Sequence, residues 1–392
     1  MPDAVVVDAI RTPGGKRNGS LRNWHSVDLA ATVLQALVHR SDLDPSLIED
    51  VIMGCVMQVG EQGINVGRNA VLAAGFPESV CATTIDRQCG SSQQAVAFAA
   101  QAVMSGVHDI VVAAGVEVMT RTPMGSSVVP GLGKPFGPLV HQRYFDRGGL
   151  VNQGVSAELI AEQWGLSRED LDRFGYESHM KASRATHEGR FDREIVSVDI
   201  KDENGQPTGS KLAIDEGIRP TTTIEALAGL KPAFKEDGKV TAGNSSQITD
   251  GASAALIMSE ERAQQLGLTP RARFHAFSLA GVDPITMLTG PIPATKKVLE
   301  KAKMQIDDVD LVEINEAFAS VVLAWEKELH PNMDKVNGNG GAIALGHPLG
   351  ASGTKLLATL LCELERTGKR YGLQTMCEGG GMANAYIIER LG

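Results

Sequence analysis

The chain has 392 residues, of which 43% are hydrophobic and only 4% aromatic, and it contains 43 glycines. This apolar content excludes a disordered chain, and the length suits two or three domain-sized units. The formal net charge of −10 argues against a nucleic-acid binder with a basic surface. Because no uninterrupted apolar run reaches roughly eighteen residues, we expect no membrane-spanning helix.

The cysteines and the start of the chain bear on the cellular setting. The five cysteines are odd in number and form no Cys-x-x-Cys pair, so we expect neither a disulfide framework nor a zinc module. A reduced, cytoplasmic setting fits this usage better. The apolar run at 4–10 is typical of a strand, and no signal-peptide pattern precedes it.

Strands and helices alternate from the first residues onward. The apolar spacing predicts strands at 4–10, 51–58, 82–85 and 108–115 and a helix at 27–38. It also predicts a helix that follows Gly90 and the possible caps Ser91 and Ser92 and runs to Met104. From 119 to 249 the chain is turn-rich, with one charged helix at 167–188, and a strand pattern resumes at 252–258. This order predicts an α/β fold with buried sheets and an inserted, irregular segment.

The two ends of the chain resemble each other. Residues 47–55 are similar to 309–315, at an offset of about 260 residues, and nearly the same offset takes the Cys89 segment onto 346–354. This similarity favours two duplicated α/β halves with functional loops at equivalent ends. We expect a first half at 1–118 plus 250–271, an inserted loop domain at 119–249, and a second half at 272–392.

Cys89, directly before a predicted helix, is the first candidate for chemistry. Free amides and the dipole at a helix start stabilise a thiolate, so we expect a lowered thiol pKa. The neighbouring Gly90 lets a substrate carbonyl approach the backbone. The alternative is that Cys89 is a small buried hydrophobic residue.

His347 stands between Gly346 and Pro348 on a stiff turn before a helix, which suits a general base. The alternative is a structural histidine in a loop. The surrounding glycines do not form the Gly-x-x-x-x-Gly-Lys-Ser/Thr pattern, so a nucleotide-hydrolysing phosphate loop is disfavoured.

Two further segments carry candidate groups. Cys377 precedes three glycines at 379–381, which either puts a thiol beside unshielded amides, as an oxyanion hole requires, or makes a tight hairpin. Asn315 ends a predicted strand, where it either orients a water or a carbonyl, or caps a helix. Four such groups at strand or helix ends of a duplicated fold predict a converging site.

With these residues in view, the sequence resembles the thiolases, which are acetyl-CoA C-acyltransferases or acetyltransferases, over essentially its whole length. The matching segments are, in order, 7–13 (Val-Asp-Ala-Ile-Arg-Thr-Pro), the Cys89 segment, 315–319, 340–348 and Cys377-x-Gly-Gly-Gly. The resemblance implies a five-layered αβαβα fold with an inserted loop domain that holds coenzyme A. It also implies no metal and no permanently bound cofactor.

The resemblance also implies the chemistry. Cys89 would be the nucleophile that becomes acylated, His347 its general base, and Cys377 the acid/base at the carbon α to the thioester. Asn315 would hold a water that forms one oxyanion hole with His347, and the amides of Cys89 and Gly380 would form another. The reaction would be ping-pong cleavage of a 3-ketoacyl-CoA by CoA to acetyl-CoA and a shortened acyl-CoA, or the reverse condensation.

The resemblance extends to substrate binding and assembly. Ser246 matches the position that meets the pantetheine of CoA, Arg219 the cation near the nucleotide, and Phe234 a wall of that pocket. Arg219, Lys231 and Lys235 are candidates for positive potential near the CoA phosphates; the alternative for each is a solvated surface position. The expected partners are acyl-CoA and CoA, with no nucleic acid, and the chain is expected to form a homo-oligomer, either a dimer or a dimer of dimers.

Two departures from the family pattern concern substrate choice and acidity. Short-chain members carry His-Met-Gly where this chain has Asn152-Gln153-Gly154, and loss of the methionine would open the acyl pocket to longer or branched chains. We therefore favour a degradative 3-ketoacyl-CoA thiolase over a biosynthetic acetoacetyl-CoA enzyme. The second departure is Glu378, next to Cys377, which we expect to point away from the thiol.

Two other functions are weighed against catalysis by a thiolase. A ketoacyl synthase would pair its cysteine with two histidines, or with a histidine and an asparagine, and Cys377 before its glycines argues against it. A non-catalytic acyl-CoA or lipid carrier of the same fold would lack one catalytic group, whereas all four are present here.

Overall fold

The computed structural model describes residues 2–392, and a single ten-stranded sheet runs through it, with a separate two-stranded sheet beside it. The strands are β1 (Ala4–Arg11), β2 (Gly15–Lys16), β3 (Asp50–Gly54), β4 (Cys81–Ile85), β5 (Ile110–Val118), β6 (Val198–Lys201), β7 (Pro207–Leu212), β8 (Thr249–Ser259), β9 (Ala272–Gly281), β10 (Leu311–Ile314), β11 (Tyr371–Glu378) and β12 (Met382–Arg390). The helices are α1 (Ser26–Arg40), α2 (Val66–Ala73), α3 (Ser91–Met104), α4 (Pro138–Tyr144), α5 (Gln153–Gln163), α6 (Arg168–His187), α7 (Ile224–Ala228), α8 (Glu260–Gln265), α9 (Pro291–Ala302), α10 (Ala319–Leu329), α11 (Ala342–Leu345) and α12 (Ser352–Thr367).

The large sheet consists of two similar parts. Its strand order is β10-β11-β12-β9-β1-β8-β5-β3-β4, with β2 paired to β8. Read outward from the centre, β9-β12-β11-β10 repeats the order β1-β8-β5-β3. The two parts meet where β1 pairs with β9, a contact of only two residue pairs, Val5 with Arg273 and Val6 with Ala272.

Helices cover both parts of the sheet and also separate them. One hydrophobic cluster joins α1 and α2 to the first part, another joins α9 and α10 to the second, and a third places α3 and α12 between the two. Ala99 of α3 and Leu357 of α12 are fully buried in that middle layer. This sequence of layers is the predicted αβαβα arrangement, so the fold class is confirmed.

The internal repeat extends to the element boundaries. α3 and α12 start 261 residues apart, at Ser91 and Ser352. The same offset separates the starts of β5 and β11, at Ile110 and Tyr371. Residues related by this offset therefore occupy equivalent places in the two halves.

Three predicted strands differ by three or four residues at one end from the observed ones, and one of them, predicted at 252–258, starts at Thr249. The strand predicted at 51–58 ends at Gly54, because the amides of Val56 and Met57 donate to the carboxylate of Glu117, at 2.9 and 3.0 Å, instead of to a neighbouring strand. The strand predicted at 108–115 runs to Val118, since its pairing with β8 continues that far.

The chain between β5 and β8 contains α4 to α7, the β6–β7 hairpin and long connections. We propose that 119–249 forms an inserted subdomain between two halves, 1–118 with 250–271 and 272–392. These boundaries fall at or within a residue of strand ends, which supports the division. In the part of the chain that the structure describes, no helix is both long and apolar enough to cross a membrane.

Candidate active site

Cys89 lies in a tight turn between β4 and α3. Gln88, just before it, has a φ of 49°, in the left-handed region that non-glycine residues rarely adopt. Ser91 holds this turn, because its Oγ accepts the N–H of Arg87 at 2.9 Å and donates to the carbonyl of Gln88 at 2.6 Å. Gly90 is the N-cap of α3, so Cys89 stands just outside the helix start, as the sequence predicted.

The acidity of Cys89 differs from the sequence expectation. Its side chain is only 4% exposed and packs in a cluster with Met119, Leu349 and Met376. Burial raises the pKa of the thiol to about 12, although the amide of Gln153 opposes this rise. The predicted lowering of the pKa at the helix start is therefore wrong for the substrate-free site, because desolvation outweighs the helix dipole.

His347 lies between α11 and α12 with its ring fixed at both nitrogens. Its Nδ1 is 2.5 Å from Oγ of Ser352, and Nε2 is 3.4 Å from Nδ2 of Asn315. Burial lowers the pKa of the imidazole to about 3, helped by the nearby cation of Lys355. The ring is therefore neutral at physiological pH, as a general base must be before it accepts a proton.

Asn315 follows the last residue of β10. Its backbone N–H donates to the carbonyl oxygen of Thr375 at 3.1 Å. This bond extends the pairing of β10 with β11 by one residue. The alternative that Asn315 caps a helix is wrong, since α10 starts at Ala319 and its N-cap, Phe318, makes no side-chain capping bond. The side-chain amide of Asn315 therefore does not cap the helix, and its Nδ2 faces the ring of His347.

Cys377 is fully buried in β11, one residue before the strand ends. The pKa of its thiol is raised well above the usual value, first by burial and then by the charges of Cys89 and Glu378. The two thiols are thus close enough to affect each other electrostatically. In the turn that follows, Gly380 and Gly381 have φ of 84° and 83°, so the glycines serve the hairpin, one of the two predicted roles.

Glu378 does not point away from the site, so that expectation is wrong. Its side chain is fully buried, and neither carboxyl oxygen has a hydrogen-bond partner within residues 2–392. A Cβ added to Gly90 would lie only 2.2 Å from its Oε1. Because Gly90 has no side chain, the carboxyl group of Glu378 can occupy the space next to it.

A cavity of about 810 Å³ leads to His347. Arg219, Phe234 and Ser246, the three residues predicted to bind CoA, all line it. Lys231 and Lys235 are not among its lining residues. Two cations that do line the cavity, Lys16 and Arg17, were not predicted. Their position as adjacent basic residues after Gly14-Gly15 could have indicated them from the sequence.

Aromatic rings and a missing side chain shape one wall of this cavity. The ring of Phe234 stands edge-on to that of Phe318, with centroids 5.9 Å apart. Gly154 lies against Phe234, since an added Cβ would be 2.1 Å from Cδ1 of the ring. The close approach of α5 to this wall therefore requires glycine at 154.

Gln153 brings α5 close to Cys89. Its Nε2 lies 4.0 Å from Sγ of Cys89, and it also approaches Gly379, where an added Cβ would be 3.2 Å away. The side chain of glutamine is about as long as that of methionine. The position that we compared with the family methionine is therefore filled, and the difference is one of polarity.

Comparison with known proteins identifies the family. Residues 4–261 match the family model "Thiolase, N-terminal domain", and residues 268–390 match "Thiolase, C-terminal domain". The chain is 51% identical over 400 aligned residues to a steroid 3-ketoacyl-CoA thiolase, FadA6, of Mycobacterium tuberculosis, covering 100% of this chain and 95% of that protein. It is 46% identical to a 3-ketoacyl-CoA thiolase of Aliivibrio fischeri, with both covered completely.

A solved structure agrees with these matches. The crystal structure of the Bacillus anthracis acetyl-CoA acetyltransferase superposes with a TM-score of 0.90 at 41% identity, covering 100% of this chain and 99% of that one. The fold and the arrangement of the site thus define an acyltransferase. The chain belongs to the thiolase family.

Proposed function

We propose that this thiolase cleaves 3-ketoacyl-CoA with CoA to give acetyl-CoA and a shortened acyl-CoA, and that it catalyses the reverse condensation. The observation that carries this proposal is one cavity that reaches His347 and is lined by Arg219, Phe234 and Ser246. The names of the relatives, 3-ketoacyl-CoA thiolases at 46–51% identity, support the same reaction.

The first half-reaction uses Cys89 as nucleophile and His347 as base. At rest both are neutral, because burial raises the pKa of the thiol to about 12 and lowers that of the imidazole to about 3. The thiol proton therefore passes to Nε2 of His347 as the sulfur attacks the 3-keto carbon. The bond between the α and β carbons then breaks, which leaves an acyl group on Cys89 and the enolate of acetyl-CoA.

Cys377 completes this half-reaction by protonating the α carbon of that enolate. The high pKa of its thiol suits a group that carries a proton until a carbanion forms. In the second half-reaction CoA transfers its thiol proton to the Cys377 thiolate and attacks the acyl-Cys89 carbonyl. The shortened acyl-CoA then leaves, and His347 returns its proton to Cys89.

Two sets of donors are available for the oxygen that becomes negative in each half-reaction. Asn315, beside His347, would hold a water for one set. The amides of Cys89 and Gly380 would form the other, and within residues 2–392 neither of them donates to a protein acceptor. Donors that no other group occupies are what an oxyanion hole requires.

The CoA moiety would extend along the cavity away from His347. Ser246 would meet the pantetheine, and Phe234 would form part of the wall. Arg219, Lys16 and Arg17 would supply positive charge for the phosphates, which a protein with a net charge of −10 must provide locally.

The length of the acyl chain distinguishes two candidate substrates. A short-chain acetoacetyl-CoA reaction is the second candidate, favoured by the similarity to the acetyl-CoA acetyltransferase structure. The greater identity to 3-ketoacyl-CoA thiolases, one of which acts on a steroid 3-ketoacyl-CoA, favours longer or bulkier substrates. We propose the degradative direction on this ground.

We also propose that the chain forms a homo-oligomer, a dimer or a dimer of dimers. Large apolar side chains are exposed along one segment of the inserted region, namely Met124, Val128, Val129, Leu132, Phe136, Leu139, Val140 and Phe145. Such clustering marks an interaction surface more often than a solvated one. Light scattering of the purified protein would show a single-chain mass if this proposal is wrong.

Turnover of a ladder of 3-ketoacyl-CoAs, from four carbons to ring-bearing side chains, tests the proposed function. Chromatography would follow the formation of acetyl-CoA and of the shortened acyl-CoA in the presence of CoA. We expect higher kcat/KM for the longer or bulkier members than for acetoacetyl-CoA. Tight binding without product would instead indicate an acyl-CoA carrier.

A further inference from the structure

The proposed chemistry leaves one buried acidic group beside the cysteines unused. Glu378 is fully buried, and both of its carboxyl oxygens lack a hydrogen-bond partner in the described chain. It directly follows Cys377, and its charge bears on both Cys377 and Cys89. A buried carboxylate without donors is costly, so its presence calls for a physical explanation.

The internal repeat supplies a comparison within the same molecule. Glu117 of β5 lies 261 residues before Glu378 of β11, at the equivalent place. Glu117 is fully buried too, but its carboxylate accepts the amides of Val56 and Met57 and Nε2 of Gln62. The fold can therefore supply hydrogen-bond donors to a buried carboxylate at this position. It supplies none to Glu378 within residues 2–392.

One contact of Glu117 shows what is missing at Glu378. Glu117 also accepts the backbone N–H of Gly350, from the other half, at 2.9 Å. Gly350 is related to Cys89 by the offset of 261 residues, so the equivalent bond would run from the Cys89 amide to Glu378. That bond is absent within residues 2–392, and the Cys89 amide stays free there for an oxyanion.

The immediate surroundings of Glu378 contain a second unpaired acceptor. A Cβ added to Gly90 would lie 2.2 Å from Oε1 of Glu378 and 3.0 Å from Nδ2 of Asn384, so the two side chains meet around this residue. Nδ2 of Asn384 donates to the Gly90 carbonyl at 3.1 Å, and its buried Oδ1 has no hydrogen-bond partner within residues 2–392. Neighbouring acceptors without a donor fit a protonated carboxyl, which has an O–H to donate.

Burial outweighs the charges around Glu378, of which Arg87 favours the ionised carboxylate and Asp86 has a smaller, opposite effect. From the turn before α3 it faces Arg87 and Asp86, whose effects on it are opposite in sign. The start of α3 and residues 382–386 of β12 carry no charged side chain. Burial is therefore the dominant effect on the Glu378 carboxyl, and it raises the pKa of this group to about 8.

We propose that Glu378 is a positioning residue of the thiolase reaction that works as a neutral acid. Protonated, it packs against Gly90 and supports the Cys89 turn without placing a negative charge beside thiols that must ionise. Its ionisation at alkaline pH opposes the formation of the Cys89 thiolate and so limits the reaction. The inference rests on the proposed function only for the roles of the two cysteines.

The test compares the wild type with Glu378→Gln, which keeps the size and removes the ionisation. Alkylation of Cys89 by iodoacetamide, measured on its peptide by mass spectrometry from pH 6 to about pH 10, reports the thiolate without turnover. In both proteins the rate rises about tenfold per pH unit at first. Above about pH 8 the wild-type rise flattens as Glu378 ionises, whereas the rise in Glu378→Gln continues.

Glu313→Gln is the matched control. Glu313 is also a buried acid with an oxygen that has no partner within residues 2–392, but it is not among the charges that shift the pKa of Cys89 or Cys377. Its alkylation profile should follow that of the wild type. If Glu378→Gln does not fold, Glu378→Ala, which also lacks the charge, should show the same continued rise.

Two results would overturn the proposal. One is an identical profile above pH 8 in the wild type and in the folded Glu378 variants. The other is loss of Cys89 alkylation at every pH in Glu378→Gln, which would mean that the ionised carboxylate is required. Failure of the proposed function is distinguishable, because a wild type without thiolysis still gives an alkylation profile.

Discussion

Oγ of Ser352 lies 2.5 Å from Nδ1 of His347 and donates its own hydrogen to the carbonyl of Pro348, 2.8 Å away. Because the hydroxyl hydrogen is committed to Pro348, the Ser352 oxygen can only accept from the ring. Nδ1 therefore carries the imidazole proton, and Nε2 presents its lone pair beside Asn315. This relationship selects the tautomer that the proposed base requires.

Replacing Ser352 by alanine should weaken this selection. Loss of one buried hydrogen bond to the ring costs about 1.4 kcal/mol, which corresponds to about a tenfold lower kcat/KM for thiolysis. Steady-state kinetics would measure it, with circular dichroism as a check of folding. Ser41→Ala is the control, because the buried Ser41 hydroxyl has no hydrogen-bond partner among residues 2–392. An unchanged kcat/KM in Ser352→Ala would contradict the assignment.

Lys355 should control the acid side of the pH profile. Its Nζ is buried and donates to the carbonyls of Leu345 and Gly346, both at 2.8 Å, and its cation lowers the pKa of His347. In Lys355→Met that pKa rises from about 3 toward the ordinary 6.5, though burial keeps it below that value. Protonation then removes the base at a higher pH.

The acid limb of kcat/KM should therefore move to higher pH in Lys355→Met and stay in place in Lys369→Met, which removes an exposed lysine. Lys355→Met should also lose about 3 kcal/mol of unfolding free energy, because the carbonyls of Leu345 and Gly346 then lack the donor that Lys355 supplies. Urea titration would measure that loss. A shift of the limb to lower pH would refute the electrostatic role of Lys355.

Gly154→Ala should disturb CoA binding rather than chemistry. The added Cβ would lie 2.1 Å from Cδ1 of Phe234, so the ring must move from its place beside Phe318. We expect KM for CoA to rise about tenfold with kcat nearly unchanged, which is the signature of lost uniform binding. Gly281→Ala, whose added Cβ meets no atom of the described chain within 4 Å, should leave KM unchanged. A fall in kcat alone would count against Phe234 as a binding wall.

Local signals in the sequence were sufficient for some features and insufficient for others. The end of α3 at Met104 was predicted to the residue, and its start was predicted to within one or two residues, because helix formers and a glycine boundary are adjacent in the chain. The raised pKa of the Cys89 thiol was not predicted. It results from desolvation by residues such as Leu349 and Met376, which are distant in sequence and reach the thiol only in the folded chain. The inward turn of Glu378 likewise depends on the space at Gly90.

Arg11 shows the same limit for a charged group. The Arg-Thr-Pro segment contributed to the resemblance, but the sequence gives no sign of the partners of Arg11. In the structure the guanidinium is fully buried between Glu194, at 2.6 Å, and Asp215, at 2.8 Å, both from the inserted segment. With 47 acidic residues in the chain, the folded arrangement alone selects these two. Removing one partner of such a group leaves an uncompensated buried charge.

The central claim is that Cys89 carries the acyl group and that Cys377 transfers protons without being acylated itself. Peptide mass spectrometry after incubation with acetyl-CoA tests it most directly. The wild type and Cys377→Ala should both show an acetyl increment on the Cys89 peptide, and only the wild type should go on to form acetoacetyl-CoA. Cys89→Ala should show no increment, whereas Cys362→Ala should behave as the wild type. An acetyl group on another cysteine, or equal loss of acylation in Cys89→Ala and Cys377→Ala, would contradict the account.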